Sequence, residues 1–179
     1  DAEALVVGPE SQRTVPLREL FVGPRKDPHN EHVLARADII TSISVRVPGA
    51  SDTEPAGTGG AKTRRGPGGG STSSIFLKER ERSAWDFALA SVSAVVERAA
   101  DGTVSHAAIV LGGVAPNPWN AEEAAASLAG TSLDEEAIAR AAKLAVKGAR
   151  PLKHNAYKIG LTERLVARAL GTLAGEITA

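Results

Sequence analysis

A lysine and a threonine follow a glycine-rich stretch in the run GTGGAKT, Gly57 to Thr63. Such a run can cradle a phosphate when its glycines are correctly spaced and when it leads from a strand into a helix. Here Ala56 and Ala61 occupy the two positions that the common phosphate loop needs as glycine. The residues that follow, TRRGPGGGSTSS, are unsuited to a helix. We therefore interpret the run as a flexible connector, with nucleotide binding as the weaker alternative.

The histidines predict neither a metal site nor a catalytic site. His29 and His32 lie three residues apart in a loop, a spacing that could bind a metal, but the sequence places no third and fourth ligand there. His106 and His154 have no nucleophile and acid partner in a recognisable arrangement. We predict no catalytic residue and no bound metal in this chain.

A charged run, LKERER from Leu77 to Arg82, is the next candidate. Strand alternation places one aromatic and three cationic side chains on the same face: Phe76, Lys78, Arg80 and Arg82. A lysine beside an aromatic residue at a strand end can bind an anionic or electron-rich ligand. The competing interpretation is a solvated strand end, which is the more common role of such runs.

The run VLGGVAPNPW, Val110 to Trp119, predicts a corner. Two glycines at a strand end indicate a sharp bend or a close backbone approach, and the prolines hold the following chain extended. We expect a structural corner packed by Trp119.

Composition limits the possible functions. Lys and Arg total 21, as do Asp and Glu, so the basic excess typical of a nucleic-acid binder is absent. The chain has no cysteine, which excludes disulfides, thiolate nucleophiles and Cys-bound clusters within it. No apolar run approaches the roughly 18 residues of a membrane span, and no signal peptide opens the chain. The lack of any methionine suggests a piece of a longer product.

Strand patterns dominate the first two thirds of the chain. Ala2–Val7 and Arg13–Phe21 are strand-like, and apolar alternation from 38 to 47 puts Ile39 and Ile43 on one face and Ile40 on the other. The segment 88–99 is rich in alanine, which favours a helix. Its β-branched residues and the Asp-Gly pair at 101–102 instead predict a hairpin of two long strands.

Helix patterns dominate the remainder. Three helices are predicted, with caps at Asn120, Ser132 and Asn155. Strands followed by helices predict an α+β fold, in which a small antiparallel β-sheet of three to four strands is packed on one face by three C-terminal α-helices.

In order along the chain, several blocks resemble the C-terminal domain of the FAD-binding subunit of molybdenum hydroxylases, the family of carbon monoxide dehydrogenase, xanthine dehydrogenase and aldehyde oxidoreductase flavoproteins. The blocks include ELFVGPRK, DIITSISVRVP, LKERERSAWDFALASV and VLGGVAPNPWNA; the last two are most similar to the aldehyde oxidoreductase branch. The resemblance covers about Val15 to Leu173.

The resemblance implies a small antiparallel sheet on three helices, and a role as one wall of an FAD site that passes electrons from iron–sulfur clusters to an acceptor. Lys78 matches a family lysine near the flavin, where a cation favours the anionic reduced form. Ile40 matches a strand residue whose backbone contacts FAD. Arg82 and Asp86 match nearby positions that are not expected to touch FAD.

The family's partners are also implied by the resemblance: N-terminal FAD-binding lobes that hold most of the cofactor, and iron–sulfur and molybdenum-cofactor subunits. The chain alone is therefore expected to bind FAD weakly or not at all, and to be inactive by itself. Residues 1–30 would be a remnant of the preceding lobe, and 31–179 the C-terminal domain, with a flexible Gly-rich insert at 49–73. The location would be cytoplasmic, or periplasmic as for some aldehyde oxidoreductase relatives.

A function of a different class stays open. The same fold could serve as a non-catalytic subunit-docking module, because the chain carries no FAD-cradling loop and no acid–base constellation.

Overall fold

A computed structural model describes residues 2–45, 62–65, 70–82 and 85–175, with the backbone alone for residues 62–65. The described chain divides into two compact units, Asp1–Pro48 and Gly49–Ala179. Each unit has its own sheet and its own core.

The N-terminal unit is a three-stranded antiparallel sheet with one short helix. Its elements are β1 (Ala2–Val7), β2 (Gln12–Pro16), α1 (Leu17–Leu20) and β3 (Ile39–Val45). The strand order is β2-β1-β3, so β3 pairs with the first strand of the chain. This pairing makes Ile39–Val45 part of the N-terminal unit. The domain boundary after residue 30 stays a prediction from the sequence.

A small core and one buried carboxylate hold this sheet together. The buried apolar residues are Ala4, Val6, Val15 and Leu20. The Asp38 carboxylate accepts a hydrogen bond of 2.6 Å from Arg13 Nη2 and one of 2.8 Å from the Ala35 N–H, and its side chain is only 4% exposed. The hydrogen bond from Arg13, followed by that from Ala35, lowers the pKa of Asp38 below its ordinary value of 3.8. The charged form of Asp38 therefore stabilises the unit.

A β-bulge interrupts the alternation that the sequence predicts for β3. Leu5 pairs with Ser42, but its neighbour Val6 pairs with Ile40, so Thr41 is the extra residue. Ile40 and Ile43 consequently lie opposite Val6 and Ala4, the two buried residues of β1. The prediction that Ile40 and Ile43 face opposite ways was wrong, because a single inserted residue reverses the face of everything beyond it.

The C-terminal unit is a five-stranded antiparallel sheet followed by three helices. Its strands are β4 (Lys62–Arg65), β5 (Ser71–Glu79), β6 (Ala90–Arg98), β7 (Val104–Gly112) and β8 (Trp119–Asn120). Its helices are α2 (Glu122–Ala126), α3 (Glu135–Ala145) and α4 (Tyr157–Ala174). The strands are ordered β4-β5-β6-β7-β8, each paired with its sequence neighbour.

One face of this sheet is covered by helices, as the sequence predicted. Helix α4 packs on β5 and β6, α2 packs on β7, and α3 packs on both α2 and α4. Small buried residues on α3, such as Ala141 and Ala145, allow this close packing. The predicted α+β class is confirmed, although two short edge strands bring the sheet to five. Among the described residues, no helix is both long and apolar enough to cross a membrane.

The prediction of strand over helix at 88–99 is confirmed. Val92, Ala94 and Val96 are buried, whereas Ser93 between them is exposed, which is the alternation of a strand with one covered face. At the predicted turn, Gly102 has a φ of +88°, and the Asp101 carboxylate accepts a hydrogen bond from the Thr103 N–H.

The predicted helix caps were wrong by one or two residues. The observed N-cap residues are Ala121, Asp134 and Ala156. Asp134 accepts a hydrogen bond from the Ala137 N–H, and Ser132 instead donates its hydroxyl to Asp134. An aspartate is at least as good an N-cap as a serine, so Asp134 takes the position.

The glycine-rich insert is described only in part. Residues 49–61 and 66–69 lie outside the described residues, so the predicted flexibility stays a prediction. Lys62–Arg65 form β4 and pair with residues 71–74 of β5. The lysine and threonine of GTGGAKT therefore enter a strand. A phosphate loop needs a helix at this point, so the connector interpretation is favoured over nucleotide binding.

Candidate functional site

Lys78 lies near the end of β5, on the sheet face opposite the helices. Its neighbour Leu77 packs against the helix-covered core, and alternation turns Lys78 the other way. In the register of the sheet, Lys78 lies beside Ser91 of β6, which in turn lies beside Gly112 of β7. The positive charge of Lys78 thus lies beside two small residues, Ser91 and Gly112, on adjacent strands.

The Lys78 ammonium is held by a main-chain carbonyl. Its Nζ donates a hydrogen bond of 2.7 Å to the carbonyl oxygen of Asp86, in the loop that joins β5 to β6. A carbonyl leaves the positive charge of the lysine uncompensated, unlike a carboxylate partner. Two further N–H donors of the ammonium remain for a ligand.

The side chain of Asp86 contacts Arg82, which lies earlier in the same loop. The Asp86 carboxylate accepts a hydrogen bond of 3.1 Å from the Arg82 N–H, and the Arg82 guanidinium lies 3.9 Å from the same oxygen. The loop is closed at its base by a hydrogen bond of 2.9 Å from the Leu89 N–H to the Glu79 carbonyl.

Gly113, directly after the end of β7, lies against the residues of the loop just before β6. It has a φ of +72°, and a Cβ there would lie 2.8 Å from the Ala88 carbonyl oxygen. Only glycine combines this backbone conformation with such a close approach. Lys158 of α4 donates to the Gly113 carbonyl at 3.0 Å, which ties the helix to the same corner.

The predicted corner at Val110–Trp119 is therefore present, but it is not packed by tryptophan. After Gly113 the chain returns as β8, which pairs Trp119 with Leu111. Trp119 is 51% exposed, and the close glycine contact shapes the corner instead.

Three exposed aromatic residues lie close to Lys78 or Asp86 along the sequence. Phe76 is one alternation step before Lys78, while Trp85 and Phe87 flank Asp86 and are 101% and 93% exposed. Trp85 also has a φ of +50°, a strained conformation for a bulky residue. Exposed aromatic residues on a strained loop are typical of binding surfaces.

Ile40, the second predicted site residue, belongs to the N-terminal unit. It is the least exposed of the apolar β3 residues, at 36%. β3 is an edge strand, and no other described strand pairs with its outer edge. An open edge has the free backbone groups that a main-chain contact to a ligand needs. Lys78 and Ile40 therefore belong to different units.

The turn that contains His29, one of the two histidines considered as metal ligands, is held by Asp27. The Asp27 carboxylate accepts hydrogen bonds from the His29 N–H at 2.8 Å and from Asn30 Nδ2 at 2.7 Å, which forms a closed turn. Across the described ranges, no group of three potential metal ligands occurs.

Lys78 stays a predicted site residue, and sequence reasoning did not predict the contacts that Asp86 and Gly113 make beside it. The Arg82–Asp86 spacing of four residues is common to many charged runs and indicates no loop latch by itself. The Gly112-Gly113 pair did signal a close approach, but not its partner.

A family comparison covers this part of the chain. The family described as CO dehydrogenase flavoprotein C-terminal domain matches residues 75–173, which include Lys78, Asp86 and Gly113. The match spans more than half of the chain, and the chain belongs to this family.

Individual relatives support the assignment. The chain is 29% identical over 171 residues to the aldehyde oxidoreductase FAD-binding subunit PaoB of Escherichia coli K12, covering 95% of this chain and 44% of that protein. A solved carbon monoxide dehydrogenase from Hydrogenophaga pseudoflava, which lacks the Mo-pyranopterin moiety, matches with a TM-score of 0.72 and 27% identity, covering 100% of this chain and 54% of that one. Reconstituted CO dehydrogenase from Oligotropha carboxidovorans shares the fold, with a TM-score of 0.74 at 24% identity, covering 98% and 54%. The chain thus spans about half the length of these relatives.

Proposed function

We propose that this chain is the C-terminal domain of the flavin subunit of a molybdenum hydroxylase and forms one wall of its FAD site. The observation that carries the proposal is the Lys78 ammonium, which lies in the family-matched region and is fixed on the Asp86 carbonyl. Among the described residues, it has no carboxylate partner. FAD-binding relatives such as PaoB supply the identity of the cofactor.

The residues present fit a flavin. A bound flavin would supply the redox chemistry, accepting electrons and passing them to an acceptor. Lys78 would contribute a positive charge, which stabilises the negative charge that a flavin gains on reduction. Because Lys78 is already held in place, little reorganisation is needed when that charge develops.

Ile40 would contribute through its backbone rather than its side chain. The open edge of β3 supports such a contact, because its outward N–H and C=O groups are not used by a described strand. This part of the proposal concerns the N-terminal unit alone.

The relatives are longer than this chain and support the assignment of its partners. This chain covers 44% of PaoB, so we assign the rest of the FAD site to N-terminal FAD-binding lobes. By the same likeness, iron–sulfur and molybdenum-cofactor subunits would deliver the electrons. A cytoplasmic location is the simplest assignment, with a periplasmic one for a relative of the aldehyde oxidoreductase branch.

The test is a Lys78→Ala substitution in the complete flavin subunit, assembled with its N-terminal lobes. Loss of the cation should lower the FAD reduction potential and raise the FAD dissociation constant about tenfold, as expected for one charge-assisted hydrogen bond. Spectroelectrochemistry and flavin titration measure the two quantities.

Lys143→Ala is the matched control, because it removes the same charge from the exposed side of α3. If Lys78→Ala and Lys143→Ala leave the flavin equally unaffected, Lys78 is not part of the site.

The docking-module alternative is favoured by the exposed Trp85 and Phe87. It expects partner binding to be lost in a Trp85→Ala, Phe87→Ala double variant while Lys78→Ala changes neither partner binding nor electron transfer.

A further inference from the structure

We propose that Asp86 is a positioning residue, whose carboxylate latches the β5–β6 loop so that its own main-chain carbonyl holds the Lys78 ammonium. The consequence for the flavin rests on the proposed function. The latch itself is a property of this chain and can be tested without a cofactor.

The carbonyl and the carboxylate of Asp86 accept hydrogen bonds from two different residues. The Asp86 carbonyl accepts the hydrogen bond of 2.7 Å from Lys78, and the Asp86 carboxylate accepts that of 3.1 Å from the Arg82 N–H. A lysine side chain has a flexible four-carbon stem and is ordered only when its ammonium is held. The position of Lys78 therefore depends on a carbonyl whose place is set by a carboxylate.

The main-chain N–H of Arg82 is the important donor, rather than its guanidinium. The guanidinium lies 3.9 Å from the Asp86 oxygen, and the Arg82 side chain is 78% exposed. Exposed ion pairs of this kind contribute little. Asp86→Ala should therefore disturb Lys78, whereas Arg82→Ala should not.

The other end of the loop is fixed independently of Asp86. The Leu89 N–H donates a hydrogen bond to the Glu79 carbonyl, and the Ala88 carbonyl lies close to the Gly113 backbone. Removal of the Asp86 carboxylate should therefore release the span around the Asp86 carbonyl without opening the base of the hairpin.

The first experiment uses the full 179-residue chain with isotope-labelled lysine and measures the NMR order parameter of the Lys78 Cε–H group. In the parent chain, Lys78 should be more ordered than the exposed Lys143. In Asp86→Ala, its order parameter should fall to the Lys143 value. Asp86→Asn should preserve the order, because the amide oxygen can accept the same hydrogen bond.

Asp101→Ala is the matched control. The Asp101 carboxylate accepts a hydrogen bond of 2.9 Å from the Thr103 N–H in the turn between β6 and β7, at the opposite end of β6 from the Asp86 loop. This substitution should leave Lys78 ordered. If Asp86→Ala does not fold, Arg82→Pro replaces it, since proline removes the N–H donor and keeps Asp86. An ordered Lys78 in whichever of these two variants folds would overturn the proposal.

The second experiment measures the FAD reduction potential of the complete flavin subunit. Asp86→Ala should produce at least half of the shift that Lys78→Ala produces, and Asp86→Asn should restore most of it. If Lys78→Ala itself has no effect, the proposed function fails while the NMR result still decides the latch. A full Lys78→Ala shift with none in Asp86→Ala would overturn the positioning role alone.

Discussion

The C-terminal unit buries an extended apolar core between its sheet and three helices. The N-terminal unit buries four described apolar residues and has one ion pair, in which the Asp38 side chain is 4% exposed and the Arg13 side chain 41% exposed. In the larger unit, packing fixes the backbone, so polar contacts at the sheet end can serve to position Lys78. In the smaller unit, the Arg13–Asp38 contact links β2 to the segment before β3 and is part of the fold itself. Loss of the Lys78 charge should therefore affect ligand binding by the C-terminal unit, whereas loss of the Asp38 charge should lower the stability of the N-terminal unit.

The largest effect should come from the C-terminal core. Leu170 of α4 is fully buried, and Leu170→Ala should reduce the free energy of unfolding by about 2–5 kcal/mol, through lost apolar burial and the cavity left behind. Denaturant unfolding measures this change. Leu152→Ala, at a position 77% exposed, is the control and should change stability little. Equal effects of the two substitutions would contradict the packing described for α4.

A smaller effect is expected from the N-terminal core. Val6 is fully buried in β1, and Val6→Ala removes apolar groups worth roughly 1–2 kcal/mol. Because so few residues share this core, amide exchange across residues 2–45 should accelerate throughout the sheet. Val7→Ala, on the opposite face of the same strand, should accelerate it less. Faster exchange limited to the residues next to position 6 would show that the four buried residues do not form one cooperative core.

The most selective test is the response of the N-terminal unit to acid. The pKa of Asp38 is lowered in the folded state by the Arg13 hydrogen bond, so its contribution to stability is complete above the ordinary value of 3.8. That contribution is lost as the pH falls through the lower, folded-state pKa. Protection of residues 2–45 should therefore decline as the pH falls below about 3.8.

Asp38→Asn should weaken the N-terminal sheet already at neutral pH and flatten this acid response. Asp27→Asn is the control, because the pKa of Asp27 is lowered mainly by Asn30 within the same turn. Identical acid profiles for the parent chain and Asp38→Asn would show that the Arg13–Asp38 contact does not stabilise the sheet.

Much of the fold could be predicted because its signals are local. The alternation of Val92, Ala94 and Val96, together with the turn at Asp101, determined the central hairpin. The order of strands and helices then gave the fold class. Alternation alone was enough to place Lys78 on the opposite face of β5 from Leu77, which packs on the helix-covered core.

The remaining features depend on partners that sequence spacing does not specify. The bulge at Thr41 is defined by the pairing of β3 with β1, thirty-odd residues away along the chain. The short strand β4 was hidden by its glycine-rich surroundings, since pairing with β5, rather than intrinsic propensity, makes it a strand. Asp86 acts through the conformation of a loop, and no motif records that conformation.

Strand β4 has a further consequence for how the chain behaves in concentrated solution. It is four residues long, three of them basic by sequence, and among the described strands it pairs with residues 71–74 of β5 alone. A short, positively charged outer strand repels an identical strand and offers few backbone groups for edge-to-edge stacking. Residues 62–65 thus give the described sheet a short, basic edge, which disfavours edge-to-edge pairing of two copies of this domain.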